Sequence, residues 1–463
     1  VTDVLSPQEL VERSLAASSV DGCVVIANDT ATTNLRWANN TLTTNGVTRT
    51  VDLTVIATVG GSDGVRAAAA SRNVTDADSA AALVAEAEAS ARESAVADDA
   101  ADLIAGGEAG DWDEAPVDAP VEAFAGIANW LGDIFGTARA ADQGRYGYAE
   151  HAVSTTYLGS STGLRLRHTQ PQVKVELTGR SADGSRSAWS GQGASSIDAV
   201  DLAGIEADVA KRLAWGERRT DLAAGRYDTI LPPSAVSDLM VYAFWSASAL
   251  DAHEGQSVYS KPGGGTRVGE RLSESPLTLR SDPAMPGQQS APFVITGASS
   301  RMASVFDNGS PIAATNWIDE GTLSALIQTR HSAELTGLPF TPLVENLELT
   351  GGTTATGIDE LVASTDRGLL LTCLWYIREV DPQTLLLTGL TRDGVFLVEG
   401  GEVTGAVNNF RFNESPIGML RRVRDVGKSE DTLAREFGDY FTRTRMPALR
   451  IAEFNMSSVS QAS

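Results

Sequence analysis

Apolar positions along the chain follow two periods, one near 3.6 and one of about 2, and the two come in blocks. Ser6-Pro7-Gln8-Glu9 is a capping box with proline at the first helical position, and Leu10, Val11 and Leu15 share one face, which predicts an amphipathic helix. Cys23 to Ile26 and Asn34 to Ala38 predict two short strands. Val47 to Val59 alternates through Val51, Leu53, Val55 and Ala57 up to the Gly60-Gly61 turn, and Val65 to Ala70 returns. Connections this short exclude parallel crossovers, so an antiparallel meander is expected. Thr75 or Asp76 then starts an alanine-rich helix running to about Ile104, with a thin apolar stripe of Leu83, Val84, Ala87, Ala91 and Val96.

Residues 106–120 are acidic and contain Pro and Gly, the composition of a linker or surface loop. In Val121 to Phe135 the residues Phe124, Ile127, Trp130, Leu131, Ile134 and Phe135 recur at helical intervals; such a stripe faces either the core or a partner. Strands are expected at Ala149 to Leu158, Gly163 to His168 and Val173 to Leu177, and a helix at Leu202 to Trp215. Pro232-Pro233-Ser234 then opens a helix whose Leu239, Met240, Tyr242, Ala243, Phe244 and Ala247 make it one of the most apolar in the chain, and a central one. Beyond it come β-branched runs and glycine turns, including Gly351-Gly352 and Gly400-Gly401. Expected strands are 292–296, 301–306, 323–329, 347–350, 368–376, 384–391, 394–399 and 402–407, with a last helix at Ser415 to Val423. The fold class is therefore α+β: an N-terminal α/β domain with an antiparallel sheet and long helices (1–220), then a β-rich C-terminal domain (221–463).

At 463 residues, with 42% hydrophobic and 21% charged positions, the chain can bury two cores. A net charge of -24 argues against nucleic-acid binding, which needs a surplus of Lys and Arg. No apolar run approaches the roughly 20 residues of a membrane span, and no basic stretch followed by an apolar run opens the sequence, so a cytoplasmic protein is expected. Cys23 and Cys373 are the only cysteines, too few and too far apart for a disulfide framework or a zinc knuckle.

Candidate chemistry is sparse. His253-Glu254 begins like a zinc-helix signature, but Ser257 stands where the second histidine would fall, and an ordinary helix end is the plainer reading. Gly263-Gly264-Gly265-Thr266-Arg267 lacks the Lys-Ser/Thr pair of a phosphate loop. His151, His168 and His331 stand alone, no Gly-x-Ser-x-Gly elbow occurs, and Asp221, Asp228 and Asp238 read as ordinary solvated carboxylates.

Several runs together carry a resemblance. Leu35-Arg36-Trp37-Ala38-Asn39-Asn40, Phe306-Asp307-Asn308-Gly309-Ser310-Pro311, Ile318-Asp319-Glu320-Gly321, Arg330-His331-Ser332-Ala333, Asp366-Arg367-Gly368 and Asn408-Asn409-Phe410 resemble, in order, segments of the TldD/PmbA family of peptidase-related proteins. The resemblance implies that catalytic members carry a Pro-Ser start followed by a His-Glu-x-x-x-His helix, with a cysteine near the C-terminus as a further zinc ligand. Aligned on Pro233-Ser234, the motif positions here are Val241, Tyr242 and Ser246, and neither Cys23 nor Cys373 occupies the cysteine position. The chain is thus similar to the TldE, or PmbA, type of subunit, with no catalytic or metal residue of its own and no cofactor. Zinc is expected in a TldD-like partner, forming a heterodimer that encloses a chamber for unfolded or extended peptides. Asp307, Asn308, Asp319 and Glu320 are the candidate chamber-lining residues. Two other classes stay open: an independent peptidase using His253, Glu254 and a third ligand, and a homodimeric peptide-binding or scaffold protein docking through Val121 to Phe135.

Overall fold

The structure, a computed structural model, describes residues 4–107, 109–351 and 356–461; Gly352 of the expected turn lies outside them. Among the described residues the N-terminal half builds one antiparallel six-stranded sheet, ordered β3-β2-β1-β4-β5-β6. The strands are β1 (Gly22–Ala38), β2 (Thr41–Gly61), β3 (Gly64–Asn73), β4 (Gln143–Ser160), β5 (Arg165–Ser181) and β6 (Ser187–Ala194). The meander is as expected, but Cys23–Ile26 and Asn34–Ala38 are the two ends of one strand. The polar residues between them, Asn28, Thr30 and Thr32, keep the alternation and stay paired to β2 throughout.

Odd-numbered positions of β1 point to one face. There Cys23, Val25 and Ala27 pack under α1 (Pro7–Ala17) and α2 (Ala77–Glu93), while Leu35 and Trp37 pack under α3 (Ala125–Ala140) and α4 (Leu202–Trp215). The acidic segment before α3 crosses the same face: Ala119 O accepts from Thr33 Oγ1 at 2.5 Å, and Arg49 bridges buried Asp29 to Asp118 at 2.9 and 2.7 Å. The expected helix to Ile104 stops at Glu93. Ser94 Oγ turns back to the carbonyls of Ala91 and Ala67, and Ala97 N–H donates to Val65 O along the β3 edge, so the chain leaves the helix to cover the sheet.

Even-numbered positions face the second half of the molecule. Val24, Ile26, Ile56 and Leu158 form a shared core with Phe293, Val305 and Phe306. The unbroken apolar run Cys23–Ile26 is thereby explained, being buried on both sides.

The C-terminal half is organised on α5 (Pro233–Trp245). Its residues from Ser234 to Val241 are all buried, with Ala243 and Phe244, which is why the helix reads as apolar on every side. The strand Thr444–Val459 is the hub of the larger sheet. It pairs antiparallel with Gly225–Leu231, Phe410–Glu414 and Val423–Thr432, and parallel with Leu347–Thr350. The expected strands 347–350 and 402–407 are present, 384–391 and 394–399 appear as Leu386–Thr391 and Val395–Glu399, and 368–376 divides into Arg367–Leu371 and Leu374–Asp381. Three are not: 292–296 makes only the isolated Phe293–Pro311 bridge, 301–306 ends in the 3-10 turn Val305–Asp307, and of 323–329 Leu323 ends the two-residue strand Thr322–Leu323 while Ile327 makes an isolated bridge to Ser248. Turn formers around them, Gly297, Ser299, Ser300, Gly309 and Pro311, interrupt any ladder. After α5 a short helix, α6 (Ala249–His253), ends the central segment, and α7 (Arg330–Thr336) follows the turn-rich stretch.

Candidate functional site

Past the shared core, the even face of the N-terminal sheet becomes polar and stands off from the C-terminal half, leaving a cleft of about 550 Å³ between them. One wall is polar, its amides and hydroxyls supplied by Asn28, Ser154, Thr156, Gln170 and Gln172 and an imidazole by His168. The facing wall is largely apolar, with Trp245, Phe293, Ile295, Met302, Leu343 and Phe441, and carries Asp307, Gln328 and Arg443 at its edge. Strand alternation supplies the first wall, and the C-terminal end of α5 supplies Trp245 to the second.

The segment 433–443 is the strap that closes one side of the cleft. Its anchor is Asp238, in the middle of α5 and 0% exposed, against the expectation of a solvated carboxylate. The carboxylate accepts the consecutive backbone N–H groups of Arg435, Glu436 and Phe437 at 3.2, 2.9 and 3.3 Å. Burial pushes its pKa up to about 8, with the three donors opposing. Phe437 lies edge-on to Tyr242 and Trp245, and Phe441 to Phe244 and Trp245. From the same strap Asp439 pairs with Lys174 of β5, and the Arg435 guanidinium lies between Trp189 and Trp375, 5.2 and 4.2 Å from their centroids.

The positions matched to the zinc motif do not suit a metal. Val241 is an alkyl side chain at 0% exposure in the core, Tyr242 packs on Phe437, and Ser246 Oγ donates to Tyr242 O at 2.9 Å. No group of three or more His, Cys, Asp or Glu side chains able to hold a metal ion occurs among the described residues. His253 is exposed at the end of α6, and Glu254 is ion-paired with Arg301.

Of the candidate lining residues, Asp307 borders the cleft; its carboxylate is bonded to Arg330 Nε at 2.6 Å and to Arg330 N at 3.2 Å, tying it to the start of α7. Asn308 is buried, its side chain bonded to the backbone of Thr296 and Val305. Asp319 and Glu320 lie on the exposed turn between Thr315–Asp319 and Thr322–Leu323, outside the cleft lining. The sequence passed over the residues that build the cleft: Trp245, Gln170, Gln172 and the strap.

The cleft lining offers hydrogen-bonding groups on one side and apolar contact surface on the other. His168 is bonded to the Gln170 side chain at 3.1 Å, and burial lowers its pKa. The two thiols are buried, and burial pushes Cys23 up to about 11 and Cys373 higher, away from the thiolate.

The family model of the PmbA/TldA metallopeptidase C-terminal domain matches residues 224–458, more than half of the chain. The chain belongs to the TldD/PmbA family. Solved structures with the same fold include TldE from Thermococcus kodakarensis, with a TM-score of 0.74, 14% identity and coverage of 97% of this chain and 99% of that one. Two more are described as putative modulators of DNA gyrase. The one from Thermotoga maritima has a TM-score of 0.75 and 15% identity, covering 97% and 99% of the two chains. The one from Bacteroides thetaiotaomicron has a TM-score of 0.73 and 14% identity, covering 98% of each. At such identities the likeness speaks for the fold. A search of curated proteins finds no match. No helix of this TldD/PmbA chain is long and apolar enough to cross a membrane among the described residues.

Proposed function

We propose that this chain is the non-zinc, TldE/PmbA-like subunit of a heterodimeric TldD/TldE metalloprotease. In this reading it acts in the cytoplasm, and its cleft holds an unfolded or extended peptide while a TldD-like partner supplies the zinc and the hydrolysis. The observation that carries the reading is the central helix: where catalytic members have His-Glu-x-x-x-His, this chain has Val241 and Tyr242 turned to packing and Ser246 at the helix's C-cap, bonded back to Tyr242 O. The cleft supports it, since amide and hydroxyl groups facing an aromatic wall match the alternating polar backbone and side chains of an extended chain.

The test is metal content and peptidase activity of the chain purified alone and together with a TldD-like protein from the same cell. Zinc at one ion per pair, with activity only in the mixture, is the expected result. Zinc and activity in the isolated chain would overturn the assignment and return attention to His253 and Glu254.

A further inference from the structure

On the other side of the N-terminal sheet from the cleft, α3 and the tip of the β1–β2 hairpin enclose an apolar groove of about 570 Å³. The inner stripe of α3, Ile127, Leu131, Ile134 and Ala138, is buried in the domain core. The groove is lined by Val121 and Glu122 on the 3-10 turn Val121–Phe124 and by Ala125, Ala128, Gly132 and Arg139 on the exposed side of α3, with Phe135, itself buried in the core, at its floor. Along α3 these residues fall at intervals of 3, 4, 3 and 4, the spacing of a helix seam that meets another helix. Leu42 on the hairpin and Val121 are 47% and 45% exposed beside it. A second observation concerns the glycines. At Gly132 and Gly136 nothing in the chain lies within 4 Å of where a Cβ would stand, so no packing within this protein accounts for residues that weaken a helix.

We infer that this groove is a self-association surface, closed by α3 of a second copy lying antiparallel across a two-fold axis. The seam is self-complementary in that orientation. With the axis near residue 130, Ala128 of one copy meets Gly132 of the other, and the small side chains at 125, 128 and 132 let the two helices approach closely. At the ends, Glu122 meets Arg139 of the second copy. Neither Glu122 nor Arg139 has an ion-pair partner among the described residues; Arg139 contacts only the Asn40 carbonyl and the Phe135 ring. A two-fold interface pairs each charge with its opposite twice. Because α3 covers the odd face and the cleft opens on the even face, self-association leaves the cleft free, and the inference stands apart from the peptide and zinc assignment. The seam is smaller than a standard interface of about 20–30 residues a side, so a weak, reversible dimer is expected.

Sedimentation velocity on the full chain tests this. The wild type is expected to dimerise reversibly, and Ala128→Arg, at an exposed position, to be a monomer with an unchanged melting temperature. Glu122→Arg and Arg139→Glu are each expected to weaken the dimer about tenfold by setting like charges opposite, and the double variant to restore it. Gly132→Ala is expected to raise the melting temperature while weakening the dimer, a split that a purely intramolecular role does not produce. A wild type that stays monomeric, a dimer indifferent to Ala128→Arg, or a double charge reversal without rescue would overturn the inference.

Discussion

The carboxylate of Asp238 accepts the backbone N–H of Glu436 at 2.9 Å, joining the central helix to a strap 198 residues further along the chain. With the N–H groups of Arg435 and Phe437 it holds three consecutive amides of the segment that borders the cleft. A fully buried carboxylate is tolerated only with such donors around it. Even so, burial wins, and the group is harder to ionise than an ordinary aspartate.

Folding therefore takes up a proton at Asp238 between the ordinary aspartate pKa of about 3.9 and the folded value of about 8. The stability this group contributes is fully present below the lower value and is lost as pH rises through the upper one. Asp238→Asn removes the titration. The unfolding free energy of the wild type relative to the variant, measured by urea denaturation, is expected to fall steadily between about pH 4 and about pH 8 and to level off above that. A difference that stays level across that range would mean that the carboxylate does not titrate there.

Val241→His is expected to destabilise the protein by about 3 kcal/mol, because it forces a larger, polar ring into a packed core position. The combined variant Val241→His, Tyr242→Glu, Ser246→His is expected to be no more stable, with a melting temperature that zinc does not move. The three positions differ too much in setting, one sealed in the core and the others half-buried, to converge on an ion as they stand. A zinc-dependent rise in melting temperature would show that the helix can still assemble the site.

Much of this architecture was legible in residue order because it depends on local period. The meander, the helix Leu202–Trp215 and the central α5 follow from alternation, capping and apolar spacing that neighbours in sequence report. The hub strand Thr444–Val459 did not, and Pro447 is the reason. Proline in a strand normally marks an edge, but here its missing N–H falls where the strand changes neighbours. Leu347–Thr350 pairs with it up to Arg445, and Gly225–Leu231 takes over from Leu449. The cleft was illegible for a different reason. Gln170 and Gln172 on β5, Trp245 on α5 and the strap at 433–443 each look ordinary in their own segment, and only the domain packing sets them face to face. Asp238 left one faint signal, a lone carboxylate inside the apolar run Val236 to Phe244.

Lys174 is 6% exposed on β5 and pairs with Asp439 on the strap, with Glu176 Oε1 at 3.6 Å. Asp439 itself is mostly solvated, so the pair is worth less than a buried one. Lys174→Met keeps the stem packed and removes the charge; a loss of about 1–2 kcal/mol is expected. The strap should respond more than the fold: amide exchange should quicken at 435–443 and stay slow in the strand Thr444–Val459. Equal loosening of both would mean that the pair supports the whole domain rather than the strap.

Tyr440 gives the most direct test of the cleft, because it lines the space yet is 80% exposed. An aromatic ring held out to solvent in the cleft that Trp245 and Phe441 also line contributes little to folding, and its truncation should change stability by no more than about 0.5 kcal/mol. For a bound extended chain the same ring is a large, stiff contact surface with little rotamer entropy to lose. Tyr440→Ala is therefore expected to weaken binding of fluorescently labelled unfolded casein about tenfold, read by anisotropy, with an unchanged urea midpoint. Trp245→Ala in parallel should weaken binding and lower the urea midpoint as well, since Trp245 also packs against Phe437 and Phe441. Unchanged casein binding in Tyr440→Ala would place the peptide on another surface, whatever the stability of the variant.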